Sequence, residues 1–336
     1  MSSLTYLDLH RQVSPDIEAE IEAALERLGP ASDAIGNAVT ELLRHRELKH
    51  PLSVLPLLVH AAETGAPGPA VPVSAVHVLW WTSACYLDDL ADGAGAAVTG
   101  DLSEDEALLA TVISGHILPM HIIRSPRIPE SVRGALTTEV VSGWTGAIEG
   151  QLSDIRGDTG RATRGSVTTV YRRKSGAPFG MVTAMAATLS GANSERVELW
   201  REFGCVFGIL WQIFNDQEDI LTGRNEDLLN GTVTYLLACA LEEASPAPKG
   251  HIQSLCAASR HSHGARSELI GLLLEPAVLR RYREDISGFR AEAYRLLDGL
   301  GGDERYLTAL RQLVDQSARM QLGADAVRAE TAPGQG

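Results

Sequence analysis

Tyr86-Leu87-Asp88-Asp89-Leu90-Ala91-Asp92 closes an apolar run with three carboxylates, and its reading decides the fold. On a helix, Asp88 and Asp92 stand at i, i+4 and Asp89 and Asp92 at i, i+3, so three charges crowd one face. Like charges at that spacing repel. The residues leading in, Val76, Leu79, Trp80, Ala84 and Leu87, are apolar. Acids at the end of such a helix also oppose its dipole. A hard cation would relieve both, and carboxylate oxygens suit Mg²⁺. The plain alternative is a helix end running into the Gly-rich stretch from Gly93 to Gly100.

A second acidic cluster has the same form. Trp211-Gln212-Ile213-Phe214-Asn215-Asp216-Gln217-Glu218-Asp219-Ile220 follows the apolar positions Phe207, Ile209 and Leu210. Asn215 and Asp219 are at i, i+4, and Asp216 and Asp219 at i, i+3. Two such ends suit a cavity in a helical bundle with oxygen donors on opposite walls.

The rest of the chain agrees with an all-α protein. Ile17, Ile21, Ala24, Leu25 and Leu28 step by three or four from Asp16 onward. Leu296, Leu297, Leu300, Leu307, Leu310, Leu313 and Val314 do the same near the C-terminus. No period-two run is bounded by hairpin turns. Punctuation at Gly29-Pro30, Gly65 to Pro72, Gly157 to Gly165, Pro246 to Gly250 and Gly301-Gly302 predicts loops, not linkers. We expect ten or more helices in one domain, residues 1–328, with a frayed tail over 329–336.

Composition limits the function classes. Against 43 Asp+Glu there are 29 Lys+Arg, a net charge of −14, which argues against a nucleic-acid partner. Hydrophobic residues make up 44%, enough for a large core. Cys85, Cys205, Cys239 and Cys256 show no CxxC spacing, which argues against structural zinc or a disulfide scaffold and suits a reducing cytoplasm. Met1 to Arg11 lacks the apolar core of a signal peptide. Val71 to Leu87 is broken by Ser74, His77, Thr82 and Ser83, so it reads as a buried helix and not a membrane span.

In this acidic chain, Arg172-Arg173-Lys174 is the densest basic run. Forked Arg donors and a Lys suit a diphosphate; a solvated basic turn is the alternative. Trp80, Trp81, Phe179, Trp211 and Phe214 lie on the stretches that carry these motifs. They are candidate pocket walls whose ring faces would stabilise a cation, with core packing the alternative for each.

These residues resemble the trans-isoprenyl diphosphate synthase and class I terpene synthase superfamily. Asp88-Asp89-Leu90-Ala91-Asp92 matches its first aspartate-rich motif, DDxxD. Gly150-Gln151-Leu152-Ser153-Asp154 resembles GQxxD, and Lys174-Ser175 sits where the family has Lys-Thr. Gln212 to Asp219 resembles QIxDDxxD, and Asp227-Leu228-Leu229-Asn230-Gly231 resembles DLxxG. The resemblance implies an α-helical bundle around a deep apolar pocket. It implies Asp88, Asp89, Asp92, Asn215, Asp216 and Asp219 as ligands of three Mg²⁺. Arg172, Arg173, Lys174 and Gln212 would then hold a prenyl diphosphate, and Gln151 would join the pocket.

Departures from the family shape the functional expectation. Elongating members carry Gly-Gly-Lys-Arg-Leu-Arg-Pro; aligned on Pro51, this chain has Glu47 for the Lys and Leu48 and His50 for the Arg residues. No cation follows the first motif over Gly93 to Val98, and Thr232 stands where a Lys is expected after Gly231. Asn215 replaces an Asp, as in the NxxxSxxxE motif of microbial cyclases, but Gly223 occupies the Glu position of that motif. The leading expectation is therefore a Mg²⁺-dependent terpene synthase, a carbon–oxygen lyase acting on one farnesyl- or geranylgeranyl-class diphosphate. The alternatives are a chain-elongating prenyl diphosphate synthase, using Arg44, Arg46 or Lys49, and a non-catalytic partner subunit of one. A homodimer without membrane insertion is compatible with either. A metal-dependent phosphohydrolase is disfavoured because no His-Asp pair and no HExxH occurs.

Overall fold

In the computed structural model, residues 5–29, 33–45, 52–91 and 101–323 are described. Among them there are sixteen α-helices and no strand. In chain order these are α1 (Tyr6–Glu26), α2 (Asp33–His45), α3 (Leu55–Thr64), α4 (Val71–Ala91), α5 (Glu104–Val112), α6 (Leu118–Ile123), α7 (Glu130–Ile155) and α8 (Arg164–Tyr171). There follow α9 (Ala177–Leu189), α10 (Ser194–Leu221), α11 (Glu226–Asn230), α12 (Tyr235–Glu243), α13 (Pro246–Ser259), α14 (His263–Leu273), α15 (Pro276–Leu300) and α16 (Glu304–Ser317). The expected all-α class is what the chain adopts.

Two predicted boundaries move, each because of a proline. Helix α1 starts at Tyr6, ten positions before the periodicity expected from Asp16. A capping box between Thr5 and Asp8 satisfies its first amides, and Leu9, Val13, Ile17, Ile21 and Ala24 form its buried stripe. Pro15, just before the expected start, is accommodated inside the helix. Pro246 to Gly250, expected as a loop, is the first turn of α13. Proline is at home there because first-turn amides have no helical acceptor to lose.

The described contacts group into two compact units with interleaved segments. Unit 1 comprises Met1–Trp144, Pro178–Gly204 and Leu296–Leu313; unit 2 comprises Thr145–Ala177, Cys205–Arg295 and Val314–Gly336. In unit 1, α4 is buried over most of Val71–Ser83 and packs on α1, α3, α5 and α6. The stretches Gly68–Ala91 and Glu104–Ile123 are each long and apolar enough to cross a membrane; in the first, 72% of the apolar window is buried inside the protein, as in a core helix.

Two wide π-turns interrupt otherwise continuous helices, Ile113–Ile117 between α5 and α6 and Arg172–Gly176 between α8 and α9. A proline follows each, Pro119 and Pro178. A proline inside a helix lacks the N–H and strikes the carbonyl four residues back. A π-turn moves that carbonyl aside by inserting one residue. At the first turn the Leu118 N–H reaches back to Ile113. The freed Gly115 carbonyl accepts from Trp144 Nε1 at 3.0 Å instead.

His77 on α4 is 1% exposed and meets the Trp81 and Phe179 rings edge-on, at 6.0 and 5.7 Å. Neither ring nitrogen has a well-formed hydrogen bond. Burial pushes its pKa from 6.5 down to about 4, opposed weakly by the Leu52 backbone. The folded pKa lies below the unfolded one, so its contribution to stability is full above pH 6.5 and is lost as the pH falls toward 4. We expect this group to account for a loss of about 2 kcal/mol between pH 7 and pH 5. Urea unfolding at the two pH values, compared with His77→Leu, measures it: the difference should shrink by that amount in the variant.

Candidate active site

The densest polar site lies in unit 2, where α7, the Arg172–Gly176 π-turn and α10 come together. Two glycines allow the approach. A Cβ on Gly150 of α7 would lie 2.6 Å from Lys174 Cα and 2.7 Å from the Arg173 carbonyl carbon. One on Gly208 of α10 would lie 2.5 Å from the Ser175 oxygen and 2.7 Å from Gly176 Cα. Backbone therefore touches backbone on both sides of the turn, which carries the predicted basic run.

Lys174 turns inward. Its Nζ donates to Asp154 Oδ2 at 2.8 Å, with side chains 18% and 10% exposed respectively. Arg173 is exposed and stands 3.6 Å from Glu149. Arg172 opens the π-turn and is half-buried. Ser175 donates to Gln212 Oε1 at 2.6 Å, and Gln212 Nε2 donates to Asp216 Oδ1 at 3.0 Å. The Tyr171 hydroxyl donates to Asp216 Oδ2 and accepts the Tyr235 N–H at 3.0 Å.

Asp219 serves the neighbouring helix. Its two oxygens accept the Glu226 and Asp227 N–H groups at 3.0 and 3.2 Å, which caps α11 from a distance. The chain enters α11 through Asn225 at φ 53, and Asn225 itself makes no side-chain cap. Asn225 is the one non-glycine residue with positive φ among the described residues. Asn215 lies on the more accessible flank of α10 with Gln212 and Glu218, while Asp216 and Asp219 are buried.

Electrostatically the cluster is short of positive charge. Burial raises the Asp216 carboxyl from 3.8 to about 7, with Asp154 adding to the rise; hydrogen bonds from Tyr171 and Gln212 and the charge of Lys174 oppose it. Burial, then Asp216 and Asp219, hold Asp227 well above the carboxylate range against the pull of Lys174. Burial and Asp216 likewise keep the Tyr171 hydroxyl protonated. Such a set takes up either protons or further cations.

The other predicted residues divide between the units. Asp88 and Asp89 sit half-buried near the end of α4, in unit 1. Asp92 lies outside the described residues, as do Arg46, Glu47, Leu48, Lys49 and His50. Trp81 and Phe179 meet at 4.9 Å in unit 1, where Trp80 lies tilted against Trp144 at 4.5 Å. Trp80 and Phe179 are fully buried core residues, while Trp81 is partly exposed. Trp211 and Phe214 stack at 5.9 Å in unit 2. Gln151 is half-buried beside Gly150 on α7. Among the described residues no trio of Asp, Glu, His or Cys stands in a metal-holding arrangement. The carboxylate oxygens of Asp216 and Asp219 are engaged by protein donors but retain lone pairs. The chemistry of this donor set therefore still fits an oxygen-seeking cation.

Tyr171 was not among the predicted residues. Its contact with Asp216 joins positions far apart in sequence, and nothing in its neighbours sets it apart from a core tyrosine.

The architecture is the all-α isoprenoid synthase fold. The chain resembles the trans-isoprenyl diphosphate synthases and is polyprenyl-synthetase-like over just under half of its length. Residues 110–272 match the family model for polyprenyl synthetase. A farnesyl diphosphate synthase from Geobacillus stearothermophilus is 28% identical over 152 residues, which cover 43% of this chain and 50% of that relative. The matched stretch thus spans half the length of the relative. Geranylgeranyl pyrophosphate synthetase from Pyrococcus horikoshii Ot3 superposes with a TM-score of 0.76 at 18% identity, over 94% of this chain and 99% of that one. Polyprenyl synthase from Caulobacter crescentus CB15, solved with calcium and isoprenyl diphosphate, superposes with a TM-score of 0.75 at 14% identity, over 96% and 99%.

Proposed function

We propose that the chain is a prenyltransferase that binds an allylic prenyl diphosphate through Lys174 and the acidic residues around it. The observation that carries this is the π-turn, which sets the half-buried Lys174 against Asp154 with the buried carboxylates Asp216 and Asp227 close by. A divalent cation held by Asn215 and Asp219 would neutralise charge developing on the leaving diphosphate. Lys174 would bind the same group by a charged hydrogen bond. The buried, stacked Trp211 and Phe214 would keep water from the allylic cation.

Transfer to a second, homoallylic diphosphate is favoured over lyase chemistry by the family match and by the farnesyl diphosphate synthase relative. This reverses the order of the two readings that the sequence suggested. The lyase remains the second reading, on one specific ground: Glu47, Leu48, His50 and Thr232 stand where cations for a second diphosphate are expected.

Radiolabelled isopentenyl diphosphate, offered with each allylic diphosphate and Mg²⁺, separates the two. The expected result is label in a longer prenyl diphosphate with release of pyrophosphate, abolished by excess EDTA. A hydrocarbon or terpene alcohol formed without label uptake would establish the lyase instead. Turnover that persists in EDTA would overturn both.

A further inference from the structure

Tyr171 and Ser175 stand at i, i+4 across the π-turn, and Gln212 and Asp216 stand at i, i+4 on α10. Hydrogen bonds join the four side chains into a clamp: Ser175 to Gln212 at 2.6 Å, Gln212 to Asp216 at 3.0 Å, and Tyr171 to Asp216. The sense of donation is determined. The Ser175 hydroxyl occupies the Gln212 amide oxygen, so the amide nitrogen faces Asp216. The Tyr235 N–H occupies the Tyr171 oxygen at 3.0 Å, so the hydroxyl proton goes to Asp216. Both arms converge on one buried carboxylate.

The turn needs such a clamp. Gly150 and Gly208 bring bare backbone against it on two sides, with no side chains to interlock. Smooth backbone contact resists separation but not sliding or rotation. Directional hydrogen bonds at both ends of the turn resist both.

We propose that Tyr171 is a positioning residue, which with Ser175 fixes the π-turn against α10 and so aims Lys174 at the diphosphate. This rests on the diphosphate-binding reading above. Tyr171 touches no substrate; it acts through Asp216 and the turn.

The test is calorimetric binding of inorganic pyrophosphate in Mg²⁺, paired with steady-state kinetics, on folded protein verified by circular dichroism. Tyr171→Phe removes a single oxygen, and Ser175→Ala opens the other end of the clamp. Each should weaken pyrophosphate binding on the order of ten-fold, since small misplacements of a binding group carry such factors. The double variant should be little worse than either single one, because one clamp is lost in every case. Ser175→Thr keeps the hydroxyl and should keep the affinity. In kinetics KM should rise more than kcat falls. Unchanged affinity in folded Tyr171→Phe would overturn the proposal. If that variant does not fold, unchanged affinity in Ser175→Ala would overturn it equally, as would failure of Ser175→Thr to bind. No pyrophosphate binding by the unaltered chain would instead sink the functional reading itself.

Discussion

Lys174→Ala should lower kcat/KM by roughly 10²–10³-fold and also destabilise the fold, and the two losses can be separated. Removing a charged hydrogen bond to a phosphate in a water-poor site costs about 2–5 kcal/mol. The leaving group gains charge in the transition state, so the loss should fall on kcat as well as KM. Independently, the substitution strips Asp154 of its 2.8 Å partner. Asp154 would then stand uncompensated near Asp216 and Asp227, both already raised by burial and by neighbouring carboxylates, Asp154 among them. Breaking one side of a buried pair costs about 3–5 kcal/mol. The double variant Lys174→Ala, Asp154→Asn removes the stranded charge. It should regain most of the thermal stability and none of the turnover. Recovery of activity in the double variant would mean that Lys174 serves only to neutralise Asp154.

Gly150→Ala should be strongly damaging for so small a change. The added methyl would fall within 2.6 Å of Lys174 Cα and 2.7 Å of the Arg173 carbonyl carbon. Both are main-chain atoms, so relief requires moving a helix. Overpacking of this kind costs about 1–3 kcal/mol or more, and here the displaced segment carries Lys174. Gly134 on the same helix supplies the control, since a Cβ there meets nothing within 4 Å. Gly134→Ala should be neutral or stabilising by up to about 1 kcal/mol, from helix propensity alone. Denaturant midpoints and pyrophosphate affinity of the two variants decide the matter. Equal behaviour would show that α7 and the π-turn separate at little expense.

Much of this was legible before any coordinates. The helical period of α15 and α16 and the apolar approach of α4 to Asp88 stand in the sequence because burial repeats every turn. The acidic clusters were legible as charge that no solvated face explains well. Lys174 was legible as a cation in an acid-rich chain. The rest depends on contacts between distant positions. Gly150 read as a letter in a motif, but its role is to admit the main chain of residues 173 and 174. Asp219 read as a ligand from its spacing, while the capping of α11 by its oxygens is a contact that no spacing shows. Pro246 read as the start of a loop because a proline's effect depends on whether the local helix can spare an amide. Pro178 was visible, but not the widened turn that makes room for it.

That widened turn bears on how α9 holds its orientation. Every residue from Pro178 to Ala187 is buried, so the helix has no greasy side and no wet side. An amphipathic helix is oriented about its axis by its stripe; a uniformly apolar one can spin by a residue, about 100°, and bury nearly the same surface. The inserted residue of the π-turn is one such step. The angular setting of α9 must then come from polar anchors such as the Thr183 hydroxyl on the Trp200 carbonyl at 2.7 Å, and from the chain that leads into it. Deleting one residue from that turn should therefore leave a folded, equally greasy helix that presents every side chain beyond it in the wrong compass direction.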